Sequence, residues 1–360
     1  MAQVTGRSKR LAGKEDIEMA QNVVIRNYRV EDLPAMVRLI NEADAVDQLE
    51  RRTTIGEMEH EYGWPNFCPD TDSFLAWTPG RGRDEERLLG YVDFFFRKGE
   101  GDLPNVFYTW GVVHPDHRRQ GVGRRLMEAL YRRAVERLPE ADGGPVYLQA
   151  NSRDVETGRQ ALFKDLGMER VRYFVDMARP IDNSLPPVEV PGGFRLRAFD
   201  LARDVEAVWR VDVESFRDHW GYTGFPLEEF RHWIEQPNFR PELWLVAEEE
   251  ATGRMAGICL NKIDPDWIAR TGRQEGYVNT LAVLRQYRKR GLGSALLVRG
   301  MRILRDAGMD SVHLGSDAEN LTGAVRLYER LGFRVRKTSM VYRKTLRGAG
   351  GTTSGAGDGG

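Results

Sequence analysis

The sequence predicts an α/β chain built as two tandem copies of one domain, and three observations support that expectation. At 360 residues the chain exceeds what a single hydrophobic core commonly supports. A turn of the form Arg-x-x-Gly-x-Gly that opens an apolar helix occurs twice, as Arg118, Gly121, Gly123 and again as Arg288, Gly291, Gly293. The copies stay in step: Gly291 follows Gly121 by 170 positions, and Gly332 follows Gly167 by 165. Self-similarity at that period outranks any local assignment.

The first copy begins with a strand at 23–28 and a helix at 31–43, where Leu33, Val37 and Ile40 recur at helical spacing. An irregular helix at 54–65 follows. Strands at 73–77 and 88–97 flank a charged turn at 79–86, and Phe94, Phe95 and Phe96 read as buried strand. A strand at 105–113 enters the first glycine loop, after which Val122, Leu126, Leu130 and Ala134 mark one helix face. A strand at 146–150, a helix at 157–166 ending at Gly167 and a strand at 173–178 complete the copy.

Pro180, Pro186, Pro187 and Pro191 then break all periodicity, which marks a linker. The second copy repeats the series: a strand at 194–199, helices at 201–216 and 226–235, and strands at 243–248 and 255–263 around Thr252 and Gly253. A strand at 277–283 enters the second loop, whose helix buries Leu297, Met301 and Leu304. A strand at 312–315, a helix at 322–331 and a strand at 339–344 close it. The expected boundaries are a flexible N-terminus (1–20), a first domain (21–179), a linker (180–193), a second domain (194–347) and a disordered Gly-, Ser- and Thr-rich tail (348–360).

The formal net charge of −1 gives no broad basic surface for nucleic acid. Two cysteines, Cys68 and Cys259, are too few for a disulfide framework or a thiolate metal site. No apolar run is long enough to span a bilayer, and none follows the basic N-terminus as in a secretory signal. A cytoplasmic monomer or homodimer without nucleic-acid or membrane partners is expected.

A glycine turn at a helix start holds an anion, because backbone N–H groups and the positive end of the helix dipole face the ligand. A P-loop would need Gly-Lys followed by Ser or Thr, which neither copy has. A dinucleotide fingerprint needs a third small residue where Leu126 and Leu296 stand. What matches is a strand ending in Val112 and Val113 followed by Arg-x-x-Gly-x-Gly. Downstream in the second copy, Asn320, Ala324, Tyr328, Gly332 and Phe333 form Asn-x-x-x-Ala-x-x-x-Tyr-x-x-x-Gly-Phe. This pattern resembles the acetyl-coenzyme A signature of the GNAT superfamily of N-acetyltransferases, and covers nearly the whole chain as a tandem pair. Among tandem members it is most similar to the mycothiol synthase type, through Phe216-x-x-His219-Trp220-Gly221.

The resemblance implies that each domain is a mixed, mostly antiparallel twisted sheet with splayed central strands flanked by helices. It implies acetyl-coenzyme A as cofactor and direct transfer of the acetyl group to a primary amine of a small molecule. In the second copy, main-chain groups of Leu281, Ala282 and Val283 would meet the pantetheine arm, and one of their N–H groups would stabilise the oxyanion. The pyrophosphate would rest on Arg288, Lys289, Arg290, Gly291, Leu292, Gly293 and Ser294, with Asn320 beside it. The first copy offers Val112, Val113, Arg118, Arg119, Gln120, Gly121, Val122 and Gly123 in the same places.

Tyr328 is the expected general acid, protonating a thiolate whose pKa is about 8.5 by analogy with cysteine. The matching position in the first copy is Phe163, and Val155 stands where the second has Asn320. Catalysis is therefore assigned to the second domain, with the first a degenerate copy. For the base that takes the amine proton, Glu214 and Glu275 rank above Asp218 and His219. His114 and His117 lie inside the anion loop without a third ligand, so no metal is expected. Trp209, Trp220, Tyr222, Phe225 and Trp233 are either core or the wall of an acceptor pocket. The alternatives are an acyl-coenzyme A-binding regulator or scaffold without turnover, and a protein N-acetyltransferase.

Overall fold

Period-two and period-3.6 patterning resolves into an alternation of strands and helices in a computed structural model. It describes residues 23–49, 52–79, 86–99, 103–182, 184–187, 189–319 and 323–348. In chain order these form β1 (Val24–Asn27), α1 (Leu33–Val46), α2 (Ile55–Tyr62), the single turn α3 (Pro69–Asp72), β2 (Ser73–Trp77) and β3 (Leu88–Arg97). Then come β4 (Asn105–Val113), α4 (Val122–Arg137), β5 (Val146–Arg153), α5 (Thr157–Asp165) and β6 (Glu169–Pro180). The second series is β7 (Phe194–Ala198), α6 (Val205–Phe216), α7 (Leu227–Ile234), β8 (Trp244–Glu249), β9 (Met255–Ile263) and α8 (Pro265–Thr271). It ends with β10 (Glu275–Val283), α9 (Leu292–Asp306), β11 (Ser311–Asp317), α10 (Ala324–Arg330) and β12 (Arg334–Arg347). The expected N-terminal segment 1–20, the tail beyond 348 and most of the turn at 79–86 lie outside the described residues.

Two compact units emerge. The first comprises the chain up to Ile55 with Cys68–Phe94 and Trp110–Glu136; the second comprises Gly56–Phe67, Phe95–Thr109 and everything from Arg137 onward. In the first unit β2 pairs antiparallel with both β1 and β3, Leu75 lying opposite Arg26 and Tyr91. Met36, Leu39, Ile40 and Ala43 form the buried stripe of α1. A Cβ at Gly90 would lie 2.9 Å from the Val112 carbonyl oxygen and 3.1 Å from Leu126, so glycine lets strand and helix close together there.

In the second unit the strand order is β5-β12-β6-β11-β10-β9-β8-β7. Neighbours are antiparallel except β10 and β11; the start of β4 also runs parallel to β5. The closing strands are exchanged: β6 lies between β11 and β12, and β12, the last strand of the chain, pairs with β5. Both strands are longer than hydrophobic patterning predicts, because charged ends such as Arg170, Arg172, Arg334 and Lys337 join the ladder through main-chain groups whatever their side chains. Phe230, Trp244, Ile258, Leu296, Met301 and Phe333 anchor the core.

The helix α8 is absent from the sequence expectation, although its punctuation is written in the chain. The Asp264 side chain accepts from the Trp267 N–H at 2.9 Å, Pro265 occupies the first turn, and Gly272 ends the helix at φ 70°. After β6 the Pro-rich segment has no regular element among its described residues, yet Ile181 and Leu185 are buried. Among the described residues no helix is long and apolar enough to cross a membrane.

Candidate active site

The two glycine loops have one backbone. In the second, the N–H of Leu284 bonds to Ala256 O at 3.0 Å, that of Tyr287 to Leu284 O at 2.9 Å, and that of Ala295 to Gly291 O at 3.1 Å. In the first, His114 bonds to Leu89 O at 2.8 Å, His117 to His114 O at 2.9 Å and Arg125 to Gly121 O at 3.1 Å. Lys289 and Gly291 have φ of 64° and 89°, while Arg119 and Gly121 have 64° and 82°. Alternating left-handed residues turn successive N–H groups to one side, forming an anion nest. From Lys289 to Ser294 no backbone N–H has an acceptor among the described residues. That cradle fits a pyrophosphate.

The signature arginines serve the loop itself. Arg288 Nε donates to Val283 O at 2.9 Å and its Nη2 to Ser215 O at 3.0 Å, latching the loop to β10 and to the end of α6. Arg118 Nε repeats the first bond to Val113 O at 3.1 Å but turns its fork onto Asp47, at 2.5 and 2.8 Å. Lys289, Arg290 and Gly291 are exposed, Gly293 and Ser294 half-buried, and Leu292 buried as the first core residue of α9. In the first loop Arg119 and Gly121 are exposed; Val112, Val113, Gln120 and Gly123 are half-buried, and Val122 is buried. Asn320 lies outside the described residues.

Next to the loop, β10 pairs with β11 only from Glu275 to Val278, opposite Ser311 to Leu314. Its other edge stays on β9 as far as Val283, with a bulge between Val278 and Thr280. The β11-facing edge of Leu281, Ala282 and Val283 is therefore left without a ladder partner, which suits an extended arm with amide groups. The first copy repeats this too, its β4 to β5 pairing ending at Thr109.

Tyr328 projects from α10, and the next helical residue back, Leu327, comes within 3.8 Å of the Cβ position of Gly293. Its side chain is 7% exposed. Burial, with the nearby Cys259 thiol, pushes its phenol up to about 12, so it stays protonated at any working pH. Cys259 is buried beneath α9 and is likewise pushed up to about 12 by burial, which keeps it a neutral thiol.

The two carboxylates singled out from the sequence are placed differently. Glu214 is exposed on α6. Glu275 begins β10, eight residues from Val283, or about 27 Å at the usual rise per residue. It is engaged by Arg273 at 3.4 Å and His313 at 3.6 Å. Asp218 is exposed and 3.6 Å from Arg285. Sequence reasoning missed Asp212, two residues before Glu214. It lies beside the buried stripe Val208, Val211 and Ser215 of α6, the helix that packs on β9 and β10 and carries the Ser215 carbonyl latched by Arg288. No hydrogen bond or ion pair reaches its carboxylate among the described residues, and burial pushes it up to about 7. His219, just past α6, is lowered by burial and by Arg288.

The aromatic residues divide. Trp209, Phe225 and Trp233 pack on the core, with Trp209 Nε1 donating to Phe225 O at 2.6 Å. Trp220 instead stacks on Arg343, whose guanidinium lies 4.1 Å from the ring centroid. His114 binds Glu42 at 3.1 Å, and no cluster of metal-ligating side chains occurs among the described residues.

Comparison with known proteins agrees with this geometry. The family model described as "Acetyltransferase (GNAT) family" matches twice, over residues 43–168 and 205–333. A mycothiol acetyltransferase of Thermobispora bispora is 34% identical over 310 residues, covering 86% of this chain and 94% of the relative. One from Acidothermus cellulolyticus is 29% identical over 334 residues, covering 90% and 93%. Among solved structures, a GCN5-related N-acetyltransferase from Sphaerobacter thermophilus has a TM-score of 0.67 at 26% identity, covering 90% of this chain and 96% of its own. A tandem GNAT protein from the clavulanic acid biosynthesis pathway shares the fold, with a TM-score of 0.63 at 16% identity over 90% and 98%. Two matched copies in one chain make this protein a tandem member of the GNAT family, an N-acetyltransferase that uses acetyl-coenzyme A.

Proposed function

We propose that the second copy, residues 194–347, transfers the acetyl group to a primary amine of a small molecule. The observation that carries this reading is that three features fall within one compact unit: the unpaired N–H groups of the loop, the open edge of β10 beyond Val278, and Tyr328. Acetyl-coenzyme A supplies the activated acyl carbon when bound. Lys289 to Ser294 would hold its pyrophosphate through main-chain groups, and one N–H of Leu281 to Val283 would face the oxygen that gains charge. Tyr328 gives its proton to the departing sulfur; the desolvation that raises the phenol also raises the thiolate, so the two remain matched.

We assign Asp212, ahead of Glu214 and Glu275, as the group that accepts the amine proton. A carboxylate held near neutrality has the right affinity, and α6 lies over the strand that presents the open edge. The first copy, with Phe163 in place of the phenol, holds coenzyme A without turnover in this reading. A small acceptor is supported by the relatives named for mycothiol acetylation. The test is thiol release from acetyl-coenzyme A against a panel of amines, with wild type compared to Tyr328→Phe. Binding of coenzyme A with no turnover on any amine would instead favour a regulator.

A further inference from the structure

Several half-buried arginines in the second unit pair with carboxylates, and others, Arg302 and Arg347, bond to backbone carbonyls. Arg97, with 17% of its side chain exposed, bonds to Glu229; Arg172, at 16%, to Asp317; Arg197, at 21%, to Asp204 and Glu248. Burying a guanidinium is costly without a counter-charge, so these pairings are expected. Arg343 does neither. Its Nε donates to the neutral Gln149 Oε1 at 2.7 Å, and its Nη2 is buried with no partner. Among the described residues no carboxylate lies within ion-pair distance of it. Arg288 shares that lack, and it stands at the loop built for phosphates.

The surroundings hold Arg343 in place. Its guanidinium lies 4.1 Å from the Trp220 centroid and 5.0 Å from that of Tyr147. Gly221, at φ 74°, brings the following backbone so close that a Cβ there would sit 3.0 Å from Nη2. Tyr108 and Thr223, hydroxyls 3.3 Å apart, flank the same region. Burial lowers the arginine's proton affinity while Tyr108 and Tyr147 raise it, which is the signature of a cation short of an anion.

Position ties this group to acetyl transfer. Trp220 lies two residues past Asp218, whose carboxylate is 3.6 Å from Arg285 of the cofactor loop. The other cation near Trp220, Arg172 at 5.6 Å from its centroid, is already neutralised by Asp317 and Glu319. Resting on the acetyltransferase reading above, we propose that Arg343 receives an anionic group of the acceptor, so that the substrate class is an amine bearing a carboxylate or a phosphate. The planar fork suits either anion bidentately, and Trp220 supplies an apolar wall for the carbon skeleton between anion and amine.

The experiment is calorimetric titration of the full-length protein, with coenzyme A saturating so that its own phosphates do not compete. Ornithine is compared with putrescine, and glucosamine 6-phosphate with glucosamine. The member of at least one pair that bears the carboxylate or phosphate should bind ~10 to 100-fold more tightly, as a charge-assisted contact warrants, and which pair discriminates separates carboxylate from phosphate. In Arg343→Gln that preference should vanish while the members lacking the anion bind within about twofold of wild type. Equal affinity within both pairs, equal weakening of both members in the variant, or no detectable binding of any of the four would overturn the proposal. Far-ultraviolet circular dichroism of Arg343→Gln checks folding, and the wild-type pairs decide the matter if the variant unfolds. The readout is binding and not turnover. Discrimination without thiol release would therefore sink the enzyme reading alone, and thiol release without discrimination would sink this one.

Discussion

The loops at Arg118 to Gly123 and Arg288 to Gly293 share their left-handed residues and equivalent hydrogen bonds that differ by only a few tenths of an ångström, yet further along, α5 carries Phe163 where α10 carries Tyr328. Phe163 is 6% exposed and Tyr328 is 7%, so the two rings are buried alike and only the proton donor is missing from the first. Anion binding is written in backbone torsions, which tolerate Lys289 for Arg119 and Leu292 for Val122. Proton transfer is written in single side-chain atoms. A duplicated domain can therefore lose its chemistry in one step and retain its cradle.

The largest expected effect tests that asymmetry directly. Tyr328→Phe should lower kcat for thiol release by ~10² to 10⁴, the usual span for a general acid, with little change in coenzyme A affinity. Phe163→Tyr in that background should not restore the rate, because the first copy also has Val155 where the second has Asn320. Recovery of more than a tenth of wild-type turnover would show that the copies differ by the phenol alone.

Asp212→Asn comes next. The rate constant kcat/KM should fall by about 10² or more and lose its rise with pH around 7, since the carboxylate must be ionised to accept the amine proton. The same substitution has a stability signature of definite sign. The folded pKa of about 7 lies above the unfolded value of about 3.9, so the folded state holds this proton more tightly and stability falls as pH rises between them. Asp212→Asn should therefore unfold at a higher denaturant concentration than wild type at pH 8, with the gap closing toward pH 4. An unchanged pH–rate profile would return the base to an unassigned group.

How much of this was legible beforehand follows from what each residue depends on. The glycine turns and the Asn320, Tyr328, Gly332 frame depend on spacing along one chain segment, so the sequence displays them. Asp212 and Glu214 flank the Val208, Val211, Ser215 stripe on its two sides at 100° per residue, so a helical wheel cannot choose between them; in the structure Asp212 is half-buried and Glu214 exposed. Glu275 begins the strand that carries the open edge, but a strand carries its ends far apart. Arg343 and Trp220 are 123 positions apart, and they meet where β12 pairs with β5 in the exchanged order. No local pattern records such an exchange.

Two milder substitutions probe the cradles themselves. Gly291→Ala meets open space, its nearest neighbour being Pro191 Cγ at 3.7 Å, so the penalty is the left-handed backbone, ~1 to 2 kcal/mol. Gly121→Ala, at φ 82°, should destabilise by a similar amount in chemical denaturation. Only the first should raise KM for acetyl-coenzyme A in thiol release, by several-fold. Equal kinetic effects from both would mean that the first loop contributes to turnover.

The smallest expected effect is at the arginine that the two loops use differently. Arg118 forks onto Asp47, an ion pair with 34% and 18% of the side chains exposed, whereas Arg288 meets only carbonyl oxygens of Val283 and Ser215. Arg118→Gln should therefore cost about 0.5 to 1 kcal/mol in denaturant unfolding, discounted for solvent screening, and leave turnover unchanged. Arg288→Gln should cost a comparable amount of stability but also slow thiol release, because it frees the end of α6, and with it Asp212, from the cofactor loop. If Arg118→Gln reduced kcat as much as Arg288→Gln, the fork onto Asp47 would not mark a loop retired from catalysis, and the division of labour between the copies would have to be redrawn.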